Sequence, residues 1–305
     1  MQTKWWGWGA PDKTYALEER PNAWPFLQAR LGLTEEVQRP PIEESAIQLP
    51  PSRLPAEVFE AIAQAVGELD VTAQARDRLV HAYGKSYRDL VRIRRGQIEN
   101  PPDAVVYATT EAQVEALIAL AKVHGFAIIP YGGGTSVVGG LEMPENQRER
   151  TFVSLDLTRM EQLLSLDPVS QLAVVQPGIL GPKLEELLQA QGFTLGHYPQ
   201  SFEFSTLGGW VATRSAGQQS TRYGRIEEIV QAVRVVTPQG VMETRPLPAA
   251  AQGPDLNQIA IGSEGIYGVI TQVTVRVRPK PERRDYRAFL FKDWASGQTA
   301  IRTIM

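Results

Sequence analysis

The stretch FAIIPYGGGTSVVGG, residues 126–140, runs from a short apolar segment into three consecutive glycines. Gly132, Gly133 and Gly134 lack a Cβ, so successive backbone N–H groups can turn toward one point, and Thr135 and Ser136 add hydroxyls beside them. A loop of this kind suits a pyrophosphate. It has no P-loop lysine and does not follow the G-x-G-x-x-G spacing, which counts against NTP hydrolysis and Rossmann-type dinucleotide binding. Taken alone, the same glycines serve equally well as a tight corner.

Working outward, AVVY (104–107) is a buried strand, TTEAQVEALIALAKVHG (109–125) a helix and FAIIP (126–130) a second strand. Thr110 and Gln113 have capping-box spacing, Val114, Leu117, Ile118 and Ala121 share one face, and Gly125 stands where the helix should stop. The alternation continues through strands TFVSLDL (151–157) and LAVVQPG (172–178). It ends in a helix, GPKLEELLQAQG (181–192), with Pro182 near its start. The expected fold class is α+β, with one lobe over 96–192 and a second over 193–282. The second lobe contains IVQAVRVVTPQGVMET (229–244), two strands about a Thr237-Pro238-Gln239-Gly240 turn, and YGVITQVTVRVRP (267–279). In that last run, alternation of Val269, Thr271, Val273, Val275 and Val277 with the residues between them predicts a half-buried strand. Residues 1–95 read as an irregular extension, helical from Ala56 onward. Residues 283–305 read as a fresh strand and helix, with Ala300, Ile301 and Ile304 on one side. The expectation is the start of a cap domain that continues past Met305.

Composition narrows the chemistry. Lys and Arg number 31 against 34 Asp and Glu, a net charge of -3 that gives no general attraction for nucleic acid. With no Cys, the chain has no disulfide, no thiolate metal site, no Fe–S cluster, no Cys nucleophile and no cysteinyl flavin attachment. His81, His124 and His197 are not spaced as metal ligands, so no metal site is expected. The start, MQTKWWGWGAPDK, holds no apolar run of signal-peptide length, and no stretch reaches the ~20 apolar residues of a transmembrane helix. A cytoplasmic location with peripheral membrane contact is the expectation. Trp5, Trp6 and Trp8 could touch a membrane surface or a ligand, but packing against the body of the protein is the commoner role of such a cluster and is the expectation.

Two more segments carry ligand-binding character. GHYPQSFEFSTLGGWVATRSAGQQSTRYG (196–224) is long, dense in hydroxyls and poor in regular periodicity, while Phe202, Phe204 and Trp210 argue for order; such a loop inside a compact domain is usually functional. In IGSEGIYGVIT (261–271), Gly262, Gly265 and Gly268 recur every third residue before the final strand and favour close approach to a ligand over a plain turn. Arg214 and Arg222 are candidates to steer a phosphate-bearing substrate.

The order of these segments, with KWWGWG (4–9), YGKSYRDLVRIRRG (83–96) and FEFSTLGGWVATRSAG (202–217), resembles the PCMH-type FAD-binding domain of the vanillyl-alcohol oxidase superfamily. Within it, the chain is most similar to the alkylglycerone-phosphate synthase family. The resemblance implies that Pro130, Tyr131, Gly132, Gly133, Gly134, Thr135 and Ser136 hold the FAD pyrophosphate. Gln200, Ser201, Phe202, Glu203, Phe204, Ser205 and Thr206, with Thr213, Arg214, Ser215 and Ala216, would line the flavin. Gly262, Ser263, Glu264, Gly265, Ile266, Tyr267 and Gly268 would approach the adenosine side or the flavin. Gln200 departs from the family pattern, which has an acidic residue there. The glycine-rich loop has no His for covalent attachment, so the FAD is expected to be noncovalent.

By the same resemblance, the reaction exchanges the acyl chain of acyl-dihydroxyacetone phosphate for a fatty alcohol, forming an ether lipid without net flavin redox change. The family's acid-base residues lie beyond its FAD domain, so no catalytic residue is named, and this chain by itself is expected to be inactive. A lipid substrate, a membrane surface and a second copy in a homodimer are the implied partners. The alternative is an FAD-dependent oxidoreductase of a 2-hydroxy acid or similar alcohol, because shared architecture does not fix chemistry.

Overall fold

The computed structural model describes residues 4–13, 19–34, 40–248, 251 and 253–305. The first sheet has the order β1-β2-β4-β3. Strands β2 (Ala104–Tyr107), β4 (Phe152–Asp156) and β3 (Ala127–Tyr131) are parallel, and β1 (Val71–Thr72) adds antiparallel to β2. Helix Glu111–His124 makes the crossover. Its capping box is present, with the Gln113 N–H donating to Thr110 Oγ1 and the Gln113 side chain accepting from the Thr110 N–H, and Gly125 ends it in the left-handed region.

The second sheet is antiparallel, in the order β5 (Leu163–Asp167), β6 (Leu172–Val175), β10 (Val269–Arg276), β8 (Val230–Thr237) and β9 (Gly240–Glu243). A small ribbon pairs β7 (Phe193–Thr194) with β11 (Arg278–Pro279).

Four expectations change at this level. The strand at 172–175, grouped by sequence with the first lobe, is hydrogen-bonded into the second sheet, because β6 pairs with β10 a hundred residues later, and it brings with it β5 at 163–167, which the sequence did not mark as a strand. The extension before residue 96 contributes β1 and helix Ala56–Val66 to the first sheet's core. Strand β10 is the middle of its sheet and not a half-buried one: Ile270 and Thr274, on the face expected to be polar, are buried together with Val269, Val273 and Val275. Over 283–305 the helix forms at Trp294–Ile304, while no strand forms among residues 284–293, which find no strand partner. Ile301 and Ile304 are exposed on that helix.

One helix ties the sheets together. Val114, Leu117 and Ile118 pack in a core with Val153 and Leu155 of the first sheet and with Val236 and Val269 of the second. At the start of that helix, Glu111 takes Arg234 at 2.8 Å and the Thr271 hydroxyl at 2.5 Å, both from the second sheet. Arg234 holds the Glu111 carboxyl below its usual range, with the Thr271 hydrogen bond acting in the same direction. The seam between the sheets is therefore fixed, and the site sits in it.

Candidate functional site

A cavity of about 710 Å³ opens in this seam. One wall is the segment from Pro130 to Ser136, at the carboxyl end of β3; Leu157 follows β4, and Pro177 follows β6. A second wall is Gln200, Ser201, Ser205 and Thr206, then helix Leu207–Ala212 with Thr213 and Ser215. Glu264, Gly265, Gly268 and Ile270 close the third side at the start of β10. Three segments chosen for their glycines and hydroxyls thus meet around one space.

The glycines have a measurable reason to be there. A Cβ on Gly133 would overlap the Phe204 carbonyl oxygen, and one on Gly132 would overlap Thr206 Oγ1. The first loop is pressed directly onto the second. Gly134 lies at φ 65°, with the Tyr131 phenol where its side chain would go. In this conformation, the N–H groups of residues 132–136 donate to no described residue. Five adjacent donors with no partner among the described residues, at the edge of a cavity, are suited to hold an anion.

Known proteins agree with this geometry. Residues 102–245 match the family model described as an FAD binding domain. The chain is 40% identical over 261 residues to alkyldihydroxyacetonephosphate synthase of Trypanosoma brucei brucei, covering 86% of this chain and 42% of that protein. It is 38% identical over 332 residues to the enzyme of that name from Dictyostelium discoideum, covering all of this chain and 53% of that protein. A solved structure of an alkyldihydroxyacetonephosphate synthase superposes with a TM-score of 0.84 at 34% identity, over 92% of this chain and 55% of that one. Residues 102–245 are an FAD-binding domain, and the chain as a whole is similar to alkyldihydroxyacetonephosphate synthases. It spans about half the length of the curated relatives it matches.

FAD is the cofactor of the matched domain, and the residues present fit it. The volume is that of a cofactor site. The donor nest accounts for a pyrophosphate without cations: among the described residues on the wall, Glu264 is the one charged side chain. Its backbone stands at φ 51°, unusual for a non-glycine residue, and burial raises its carboxyl pKa, so the site favours it protonated more than water does. No wall residue is a His or Cys, so the wall offers no side chain for a histidyl or cysteinyl flavin link.

Not every expected residue reaches the cavity. Phe202 turns into the protein, stacked on Trp210 at 6.2 Å between centroids, and Phe204 contributes its carbonyl under Gly133 rather than its ring. The Arg214 guanidinium donates to Gln258 Oε1 at 2.8 Å and to the Ile261 carbonyl at 3.3 Å, so it braces the 258–262 segment. Glu203, Ala216, Gly262, Ser263, Ile266 and Tyr267 also lie off the wall. Conversely, the wall includes Trp8, Val137, Val138, Gly140, Leu141, Leu157, Pro177, Gly208, Gly209, Trp210, Ala212 and Ile270, which the sequence reading did not assign to the site. Val137, Val138 and Gly140 lie within the same motif, and Gly208 with Gly209 carried the signal of a close backbone approach. Leu157, Pro177 and Ile270 carry no local signal, since only the strand order brings them together.

His197 supports the wall from behind. It is 1% exposed, its Nε2 is 2.7 Å from Ser215 Oγ, its ring meets Trp210 at 5.2 Å, and its Nδ1 is buried without a partner. Burial lowers its pKa to about 4, with the Glu227 charge opposing the shift. The sign follows from the proton count. Between the unfolded pKa near 6.5 and the folded value of about 4, the unfolded chain binds a proton that the folded one excludes. Stability is therefore complete above pH 6.5 and falls as the pH drops toward 4, by on the order of 3 kcal/mol in total. In denaturant titrations across this window, His197→Gln should show a shallower pH slope than the wild type; equal slopes would mean that His197 is not buried in its neutral form.

Proposed function

We propose that the chain is the cofactor half of an enzyme that exchanges the acyl chain of acyl-dihydroxyacetone phosphate for a fatty alcohol. What carries the reading is a cavity built from the glycine-loop nest and the 200–215 wall, in a chain 40% identical to a synthase of that name. When bound, FAD supplies a flavin ring able to hold and release the three-carbon phosphate unit without net redox change. The protein's own part is positional. The N–H groups of residues 132–136 fix a diphosphate, Ser201, Ser205, Thr206, Thr213 and Ser215 offer neutral hydrogen bonds along the second wall, and Leu157, Pro177 and Ile270 keep water from the floor. No Lys, Arg or His stands on the wall among the described residues. The titratable side chains on it are Glu264 and Tyr131; by the family resemblance the acid-base groups come from outside this cavity, and we expect the chain alone to turn over no substrate.

The proposal extends to partners and location: a cytoplasmic enzyme, a long-chain substrate met at a membrane surface, no nucleic acid, and a homodimer. Consistent with surface contact rather than spanning, no helix among the described residues is long and apolar enough to cross a membrane.

A chimera decides the reaction. Replacing the aligned part of the Trypanosoma brucei synthase with this chain should give a yellow protein that forms alkyl-dihydroxyacetone phosphate from acyl-dihydroxyacetone phosphate and a long-chain alcohol, with no net flavin reduction. A chimera that instead bleaches with 2-hydroxy acids and makes no ether would assign oxidoreductase chemistry. Turnover of either kind by the 305 residues alone would contradict the division of labour.

A further inference from the structure

The KWWGWG segment has entered the site so far only through Trp8 on the cavity wall. Its three tryptophans have three different environments. Trp5 is buried in a small core with Leu79, Ala82, Tyr83, Ile93 and Ile98. Trp6 is half-buried and carries Lys4 Nζ at 5.1 Å and the Arg94 guanidinium at 5.0 Å over its ring. Trp8 is 39% exposed, stands on the cavity wall and meets the Phe204 ring at 6.4 Å. A large indole left partly open on a cofactor cavity, on a segment otherwise pinned to the protein, is placed to cover a ligand ring rather than to fill a core.

The pinning is specific. The Lys4 N–H donates to the Gly9 carbonyl at 2.9 Å, closing the segment into a turn. Lys85 Nζ lies 3.3 Å from the Lys4 carbonyl oxygen and 3.4 Å from that of Trp5, while the Lys85 backbone N–H donates to the Ser136 carbonyl at 2.7 Å. One residue therefore holds the aromatic turn with its side chain and the glycine-rich loop with its backbone. Gly84 lets this happen, since a Cβ there would overlap the Ser136 carbonyl oxygen.

We propose that residues 4–9 form a strap over the cavity, that Trp8 is a contact residue for bound FAD, and that Lys85 is a positioning residue that sets Trp8 against the glycine-rich loop. The proposal rests on the FAD assignment above. FAD offers a flat ring system at either end, and stacking on an aromatic side chain contributes strongly wherever a base or flavin face is otherwise open to water.

The test is a titration of the flavin-free protein with FAD, followed by flavin and tryptophan fluorescence. Trp8→Ala should weaken FAD binding about tenfold to a hundredfold and Trp8→Phe by no more than about threefold, and neither should lower the melting temperature of the flavin-free protein. Lys85→Met should weaken binding by itself, yet add nothing in the Trp8→Ala background, because it acts through Trp8. Titrating with FMN in parallel locates the contact: a loss confined to FAD places Trp8 over the adenine, and an equal loss with FMN places it over the flavin ring. Wild-type binding with undiminished affinity in Trp8→Ala overturns the strap, and additive losses overturn the role of Lys85. Failure of the wild type to bind FAD would instead overturn the cofactor assignment.

Discussion

Alanine at position 133 should leave the protein colourless. The added Cβ would overlap the Phe204 carbonyl oxygen and come within 2.8 Å of the Phe204 carbonyl carbon and 3.0 Å of the Ser205 Cα. The 204–206 segment cannot retreat cheaply. Its Phe204 and Ser205 N–H groups donate to the Ser201 carbonyl at 2.8 and 2.9 Å, and the Leu207 N–H that follows donates to Ile179 at 3.1 Å. The glycine-rich loop must therefore move outward, and the N–H groups of residues 132–136 lose their common direction. Losing several charge-assisted hydrogen bonds to a diphosphate amounts to on the order of 3 kcal/mol or more, at least a hundredfold in affinity. Gly140 provides the contrast inside the same motif. A Cβ there would meet only the Glu264 and Ser136 side-chain oxygens at 3.4 Å, so Gly140→Ala should stay within a fewfold of wild type. Equal FAD affinity in Gly133→Ala and wild type would show that the two loops are not in this contact.

The largest stability effect is expected at a residue that never touches the cavity. Glu185 is buried in helix Gly181–Gln189, where Oε1 accepts from the Leu195 and Gly196 N–H groups at 3.0 and 2.9 Å and Oε2 from the Thr194 hydroxyl at 2.8 Å and Gln189 Nε2 at 3.0 Å. One carboxylate thus satisfies four donors and fixes the turn that leads into His197 and the whole 200–215 wall. Glu185→Ala orphans the buried amides as well as opening a void, a combined cost of about 3 kcal/mol or more. For a chain of this size, that lowers the melting temperature by about 5 °C or more. Glu185→Gln keeps one acceptor oxygen and should recover part of the loss. A melting temperature unchanged in Glu185→Ala would mean that the turn is held by something else.

Both effects show how much of the molecule was legible in its sequence. The glycine-rich loop could be read because a triple glycine between a strand and a hydroxyl pair constrains the backbone locally, whatever surrounds it. The crossover helix was equally plain, since Thr110, Gln113 and Gly125 write its ends into adjacent residues. Sheet membership was not. Nothing in LAVV tells whether it pairs with the strand before it or with Val269–Arg276, and only the closed structure supplies that partner. The same limit applies to the site: Leu157, Pro177 and Ile270 are ordinary strand-end residues until the two sheets meet. Phe202 and Arg214 were assigned to the wall because their neighbours belong there. The 200–215 segment is a turn followed by helix Leu207–Ala212, so neighbouring side chains diverge, and these two point into the protein and along the 258–262 segment. Trp8 was the reverse case, a surface-segment aromatic that sequence placed in packing and the fold placed on the cavity.

The claim on which the rest depends is that this seam holds FAD without a covalent bond. The direct measurement is the visible absorption spectrum of the purified protein, repeated on the supernatant after acid denaturation. The account predicts a yellow protein, or a colourless one that turns yellow on addition of FAD, with about one flavin per chain and all the colour released to the supernatant as intact FAD. A protein that neither carries nor takes up FAD would contradict the cofactor assignment, and colour that stays with the precipitated chain would contradict noncovalent binding.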